Sequence, residues 1–118
     1  MEQGVSGRVN YYEIGSPDPG KTRAFYQGLF GWSFEEPTGP TTYWMVDEAR
    51  GGLWDTSAEG GGTWAVFYVQ VQDVATALQR AVKLGATVVV PLTDNGAIEF
   101  AHLRDPQGNR LGVWQPKA

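Results

Sequence analysis

The chain repeats itself. Two short strings, Gly51-Gly52-Leu53-Trp54 and Leu111-Gly112-Val113-Trp114, close two halves that otherwise run in parallel. Each half opens on an apolar stretch of strand character, residues 9–14 and 64–71, and then reaches an aspartate, Asp18 or Asp73, that begins a helical pattern. A glycine, Gly31 or Gly85, stops each helix; the aspartates are 55 residues apart and the glycines 54. A repeat of this length marks two copies of one supersecondary unit, neither of which can bury its apolar face alone.

The second helix has the clearer pattern. Val74, Ala77, Leu78, Ala81 and Val82 fall on one stripe, with Asp73 as N-cap and Gly85 just past the end. The first helix has Asp18 as cap, Pro19 at the first helical position, and Phe25, Tyr26 and Leu29 before Gly31. The spacing predicts helices over residues 18–30 and 73–84, each laid on a sheet. Strand-like pieces follow each helix: 32–34, 42–46 and 52–54 in the first half, 86–90, 99–104 and 110–114 in the second. Asp105-Pro106-Gln107-Gly108-Asn109 is a turn, since proline presets φ and glycine accepts positive φ, so the last two strands form a hairpin. The order is β-α-β-β-β, twice. The fold class is therefore α+β in one domain, 1–118, with repeat unit one at 8–57, a linker at 58–63 and repeat unit two at 64–117. The linker carries Gly60-Gly61-Gly62 and reads as flexible.

Composition narrows the function classes. There is no cysteine among the 118 residues, which excludes disulfides, thiolate nucleophiles and cysteine-ligated metals. A net charge of −4 argues against a nucleic-acid partner. No apolar run approaches the roughly 18 residues that span a bilayer, and residues 1–4 lack the features of a signal peptide. The expectation is a cytoplasmic protein with neither membrane nor nucleic-acid partners.

Paired βαβββ units with this punctuation resemble the vicinal oxygen chelate superfamily, which includes glyoxalase I, extradiol dioxygenases, and fosfomycin- and bleomycin-resistance proteins. The resemblance covers essentially the whole chain. It is carried by Tyr12-Glu13-Ile14 followed by Asp18-Pro19, by residues 25–32 (Phe-Tyr-Gln-Gly-Leu-Phe-Gly-Trp), and by residues 105–110 (Asp-Pro-Gln-Gly-Asn-Arg). It implies an eight-stranded incomplete barrel, a cup with helices outside, and a homodimer. Metal-dependent members place a His or Gln in the first strand of each unit and a Glu in the last. The matching positions here are Tyr11, Val66, Gly52 and Gly112. These make no ligand set for a divalent ion, which wants three or four His or carboxylate donors. The expectation is a member without metal or other cofactor.

Strand alternation selects the residues that line the cup. If Tyr12 and Ile14 pack on the helix, Tyr11 and Glu13 face inward; by the same parity Val66, Tyr68 and Gln70 face in. Leu53, Leu111 and Val113 take the helix side, leaving Gly52, Trp54, Arg110, Gly112 and Trp114 for the lining. The expected ligand-binding set is Tyr11, Glu13, Trp54, Tyr68, Gln70, Arg110 and Trp114, aromatic with a few polar anchors, as small-molecule pockets are. Glu13 and His102 are the catalytic candidates, should there be catalysis. Glu13 could be a general base or anchor a cation, or else be a carboxylate paired with Arg110 or exposed at a strand end. His102, the only histidine, could transfer protons near neutrality or be structural or solvent-facing. Trp54 and Trp114, at equivalent repeat positions, suit stacking on a planar ligand or sealing a dimer. Gly52 and Gly112 either enlarge the cup or mark bulges.

The reading that follows is a metal-free protein of glyoxalase and bleomycin-resistance type that sequesters an aromatic or cationic small molecule. The alternative is a lyase, isomerase or dioxygenase-like enzyme using Glu13 with His102 or Tyr11, or an atypical metal site. A regulatory protein with a vestigial cup is the third class.

Overall fold

A computed structural model describes residues 7–37 and 42–117. In chain order the elements are β1 (Arg8–Ser16), α1 (Pro19–Phe30), β2 (Phe34–Glu35), β3 (Tyr43–Val46) and β4 (Gly51–Asp55), then β5 (Trp64–Gln70), α2 (Val74–Lys83), β6 (Thr87–Asp94), β7 (Ile98–Arg104) and β8 (Arg110–Pro116). This is the α+β class and the doubled βαβββ order that the repeat predicts, with eight strands and two α-helices among the described residues. Residues 11–65 form one compact unit; residues 66–117, with the beginning of β1 through Asn10, form the other.

In the first unit the strands lie in the order β2-β3-β4-β1. β1 pairs parallel with β4, setting Glu13 opposite Gly52, and β3 pairs antiparallel with β4, setting Met45 opposite Gly52. The second unit has the order β5-β8-β7-β6. There β5 pairs parallel with β8, setting Tyr68 opposite Gly112, and β7 pairs antiparallel with β8, setting His102 opposite Gly112. The duplication therefore extends to register: Tyr68 takes in one unit the place that Glu13 takes in the other.

Each unit has its own core on the helix side of its strands. Ile14, Val46 and Leu53 are buried in the first, flanked by Tyr12, Tyr26, Trp32, Phe34 and Trp44. Val74, Ala101, Leu103 and Val113 are buried in the second, flanked by Val69, Val71, Leu78, Ala81 and Leu111. The alternation expected for Tyr12, Ile14, Leu53, Leu111 and Val113 is the one observed, because one apolar face per strand is what a two-layer unit can cover. Both helices begin as their sequences require. The Asp18 carboxylate accepts from the Lys21 amide and that of Asp73 from the Thr76 amide, each at 3.1 Å. Gly31 ends α1 in the left-handed conformation, its amide donating to the Gln27 carbonyl at 2.9 Å.

Two local expectations change. The strand placed at residues 32–34 begins only at Phe34, because Trp32 is drawn beneath α1, its ring stacked on Tyr26 at 5.2 Å and tilted against Tyr12 at 5.5 Å. The segment read as a flexible linker carries a 3-10 turn at Ser57–Glu59. Thr56, fully buried, ties it down: its hydroxyl donates to the Gly62 carbonyl at 2.6 Å, its amide to the Ser16 carbonyl at 2.8 Å. Glycines at 60 and 61 there serve positive φ angles, 94° and 72°.

Candidate functional site

The strand face opposite the helix carries a polar and aromatic cluster in each unit. In the first unit the cluster centres on Glu13, only 3% exposed, so the strand-end alternative does not hold. Tyr43 Oη donates to Glu13 Oε1 at 3.2 Å and Trp64 Nε1 donates to Glu13 Oε2 at 3.1 Å. Tyr11 Oη lies 2.8 Å from Tyr43 Oη. Either phenol can donate in that pair: with the Tyr43 proton on the carboxylate, Tyr43 accepts from Tyr11, whose hydroxyl also lies 3.8 Å from Met45 Sδ. In that arrangement the donors run from Tyr11 to Tyr43 to the Glu13 carboxylate. Trp54 stands edge-on to Trp64, ring centroids 5.5 Å apart at 89°.

Burial pushes the Tyr11 phenol up to about 12, with the neighbouring Glu13 charge adding to the effect against the opposing Tyr43 bond. The fold thus favours the protonated phenol. An unfolded tyrosine titrates near 10, so this stabilisation is complete below about pH 10 and is lost as pH rises through 12. Urea unfolding at pH 8 and pH 11.5 should show the native protein losing up to about 2 kcal/mol more than the Tyr11→Phe variant over that interval. Equal losses would place Tyr11 in an unburied setting.

In the second unit His102 is fully buried, which removes the solvent-facing alternative. Arg110 Nε donates to His102 Nδ1 at 3.0 Å, and Tyr68 Oη lies 2.5 Å from His102 Nε2. The guanidinium has no acceptor capacity, so Nδ1 must accept and the ring proton resides on Nε2. His102 then donates to Tyr68, whose own proton is directed away from the imidazole. The donors here run from Arg110 through His102 to the Tyr68 hydroxyl, whereas those around Glu13 run to a carboxylate. Close by, Asn10 joins the remaining pair: its Nδ2 donates to Gln70 Oε1 at 2.8 Å and its Oδ1 accepts from Trp114 Nε1 at 3.0 Å.

Of the residues selected from the sequence, the structure thus brings Tyr11 together with Glu13, links Tyr68 to Arg110 through His102, and links Gln70 to Trp114 through Asn10. Trp54 is joined to Glu13 through Trp64. Sequence reasoning passed over Tyr43, Trp64 and Asn10 as site residues. Trp64 was within reach, since it shares the parity of Val66, Tyr68 and Gln70; Asn10 gave no signal.

The four positions matching the family's metal ligands hold Tyr11, Gly52, Val66 and Gly112, and among the described residues no three His, Cys, Asp or Glu side chains gather as a metal set. The space beside the two glycines is also taken. A Cβ on Gly52 would lie 1.8 Å from Tyr43 Oη, and one on Gly112 would lie 2.6 Å from Tyr68 Cε2. The residues present do not fit a resident divalent ion at these positions.

The chain matches the glyoxalase-like domain family over residues 12–114. It belongs to that family, within the vicinal oxygen chelate superfamily. The protein named "Putative glyoxylase CFP32" of Mycobacterium tuberculosis is 28% identical over 92% of this chain and 46% of its own length. The anthracycline biosynthesis protein DnrV of Streptomyces peucetius is 24% identical over 98% of this chain and 49% of its own. The chain thus spans about half the length of these curated relatives. Among solved structures, methylmalonyl-CoA epimerase from Streptomyces coelicolor superposes with a TM-score of 0.65 at 14% identity, covering 96% of this chain and 99% of that one. A hypothetical protein, BH1468, from Bacillus halodurans gives 0.67 at 13% identity, with 96% of each chain covered. At such identities the likeness is one of fold.

Proposed function

We propose that this protein is a metal-free small-molecule-binding member of its family, holding an aromatic or cationic ligand on the strand face that carries Glu13. The observation that supports this most is Glu13 itself. A carboxylate excluded from water and fixed by a phenol and an indole is a costly arrangement for a merely structural residue, because burial disfavours the charge unless hydrogen bonds or a cation offset it. Trp54 and Trp64 beside it supply ring faces and edges for a planar ligand, and an aromatic wall with one charged anchor is how small cationic molecules are held. Tyr68, Gln70, Arg110 and Trp114 are the contacts in the other unit, and pairing of two copies as a homodimer belongs to the same reading. The ligand contacts expected here need no metal and no other cofactor.

One observation favours the enzyme alternative enough to keep it in view. The Arg110-fixed tautomer makes His102 a donor to Tyr68, and a phenol so placed can pass a proton to a substrate oxygen; in its own unit the Glu13 carboxylate is the candidate base, beside Tyr11. Relatives by fold include an epimerase, which makes proton transfer a reasonable second reading. The experiment that tests the first is titration with the planar aromatic cation proflavine, followed by tryptophan fluorescence, with and without EDTA.

A further inference from the structure

Four glycines on these strands lie beneath aromatic rings: Gly15 under Trp64, Gly51 under Tyr12, Gly52 under Tyr43 and Gly112 under Tyr68. Covering a strand glycine with a ring is a general way to make up the packing that the missing side chain forfeits. Two of the four are different in kind. Gly52 and Gly112 stand where related proteins carry acidic metal ligands, and the rings above them are tyrosines whose hydroxyls are engaged with an ionisable side chain, Tyr43 with Glu13 and Tyr68 with His102. The Tyr12 hydroxyl, by contrast, is buried without a hydrogen-bond partner, as expected of a ring that only fills space.

The two units reach this outcome by different routes. Tyr68 comes from β5, the parallel neighbour of β8, and sits directly opposite Gly112. Tyr43 comes from β3, the antiparallel neighbour of β4, two residues along from Met45, which is the residue opposite Gly52. One duplicated ancestral tyrosine would occupy the same strand in both halves, which these two do not. The two glycine–phenol pairings are therefore not copies of one another in the repeat.

We infer that Gly52 with Tyr43, and Gly112 with Tyr68, are size-exchanged pairs in which a phenol has taken over the space of an acidic metal ligand, so that the protein presents hydroxyls to its small-molecule ligand where a bound ion would otherwise be held. The inference goes beyond the binding reading above, and its first test does not depend on any ligand. The Tyr43 proton is engaged by Glu13, so that hydroxyl meets a ligand as an acceptor, and a hydroxyl carries no charge in either role. The class of ligand it suits is accordingly one bearing hydroxyl, carbonyl or amine groups near its ring system.

The test is a double-mutant cycle read by thermal unfolding, together with zinc binding by equilibrium dialysis. Gly112→Ala alone should lower Tm by roughly 5–10 °C, because the added methyl meets a ring that is held by His102. Tyr68→Phe keeps the ring, so adding Gly112→Ala to it should cost about as much again. Tyr68→Ala empties the space, and Gly112→Ala added to that variant should cost less than half of what it costs in the native protein. Equal cost of Gly112→Ala in the native and Tyr68→Ala backgrounds would overturn the exchange, since the ring would then not be what fills the position. The native protein should retain no zinc after dialysis. One equivalent retained, and lost in Tyr68→Phe, would overturn it differently, by making the phenol a metal ligand. Loss of proflavine binding with an intact cycle would count against the binding reading and leave the exchanged pairs standing.

Discussion

Replacing His102 by leucine should destabilise the fold by about 2–5 kcal/mol, since leucine fills much of the ring's volume but leaves both its hydrogen-bonding neighbours without the nitrogen they now meet. Arg110 Nε loses its acceptor at 3.0 Å in a part-buried setting, and Tyr68 Oη its donor at 2.5 Å in a buried one. A buried donor or acceptor left without its bond costs about 1–3 kcal/mol, and a charged one lies at the upper end. The edge-to-face contact of the imidazole with Tyr68, at 5.3 Å and 78°, goes as well. Urea denaturation reads the effect as a fall in midpoint at unchanged slope. A loss below about 0.5 kcal/mol would mean that the Arg110–His102–Tyr68 chain contributes little to stability, placing His102 among ordinary surface-like substitutions despite its burial.

Glu13→Gln acts on binding instead. The amide keeps the shape but offers one acceptor oxygen where the carboxylate offers two, and Tyr43 and Trp64 now donate to one oxygen each. One of those donors would face the amide NH2. For a cation held by Glu13, loss of the charge-assisted bond costs about 1.5–3 kcal/mol, so the affinity for proflavine should fall roughly ten- to a hundredfold. Isothermal calorimetry on folded variant and native protein gives the ratio directly. Under the enzyme alternative the same change would depress turnover of a substrate more than its binding. Unchanged proflavine affinity would make Glu13 a structural carboxylate and remove the centre of the proposed site.

Much of the architecture was legible because the signals were local and repeated. Asp18 and Asp73 each cap a helix, Gly31 stops one, and the Asp105 turn closes the last hairpin with its carboxylate accepting from the Gln107 and Asn109 amides at 2.9 Å. Alternation sorted Tyr12, Ile14 and Leu53 from Tyr11 and Glu13, since period-2 patterning is enforced wherever one face is buried. What resisted reading was every feature set by contacts between distant strands. The bond from Trp64 to Glu13 spans 51 residues and that from Trp114 to Asn10 spans 104. The choice of tautomer at His102 depends on Arg110 across the hairpin, which residue identity alone does not fix. Glycine in a strand was ambiguous between an enlarged cup and a bulge; a third state, filled by a neighbouring tyrosine, follows only from the register that sets Tyr68 opposite Gly112 and brings Tyr43 over Gly52.

The central claim, a ligand bound without metal on the face that carries Glu13, is tested most directly by titrating the protein with proflavine while following tryptophan emission, in buffer with and without excess EDTA. The account predicts saturable quenching from Trp54 and Trp64, with the same midpoint under both conditions. Quenching that EDTA abolishes and added zinc or manganese restores would contradict it, as would emission that proflavine leaves unchanged.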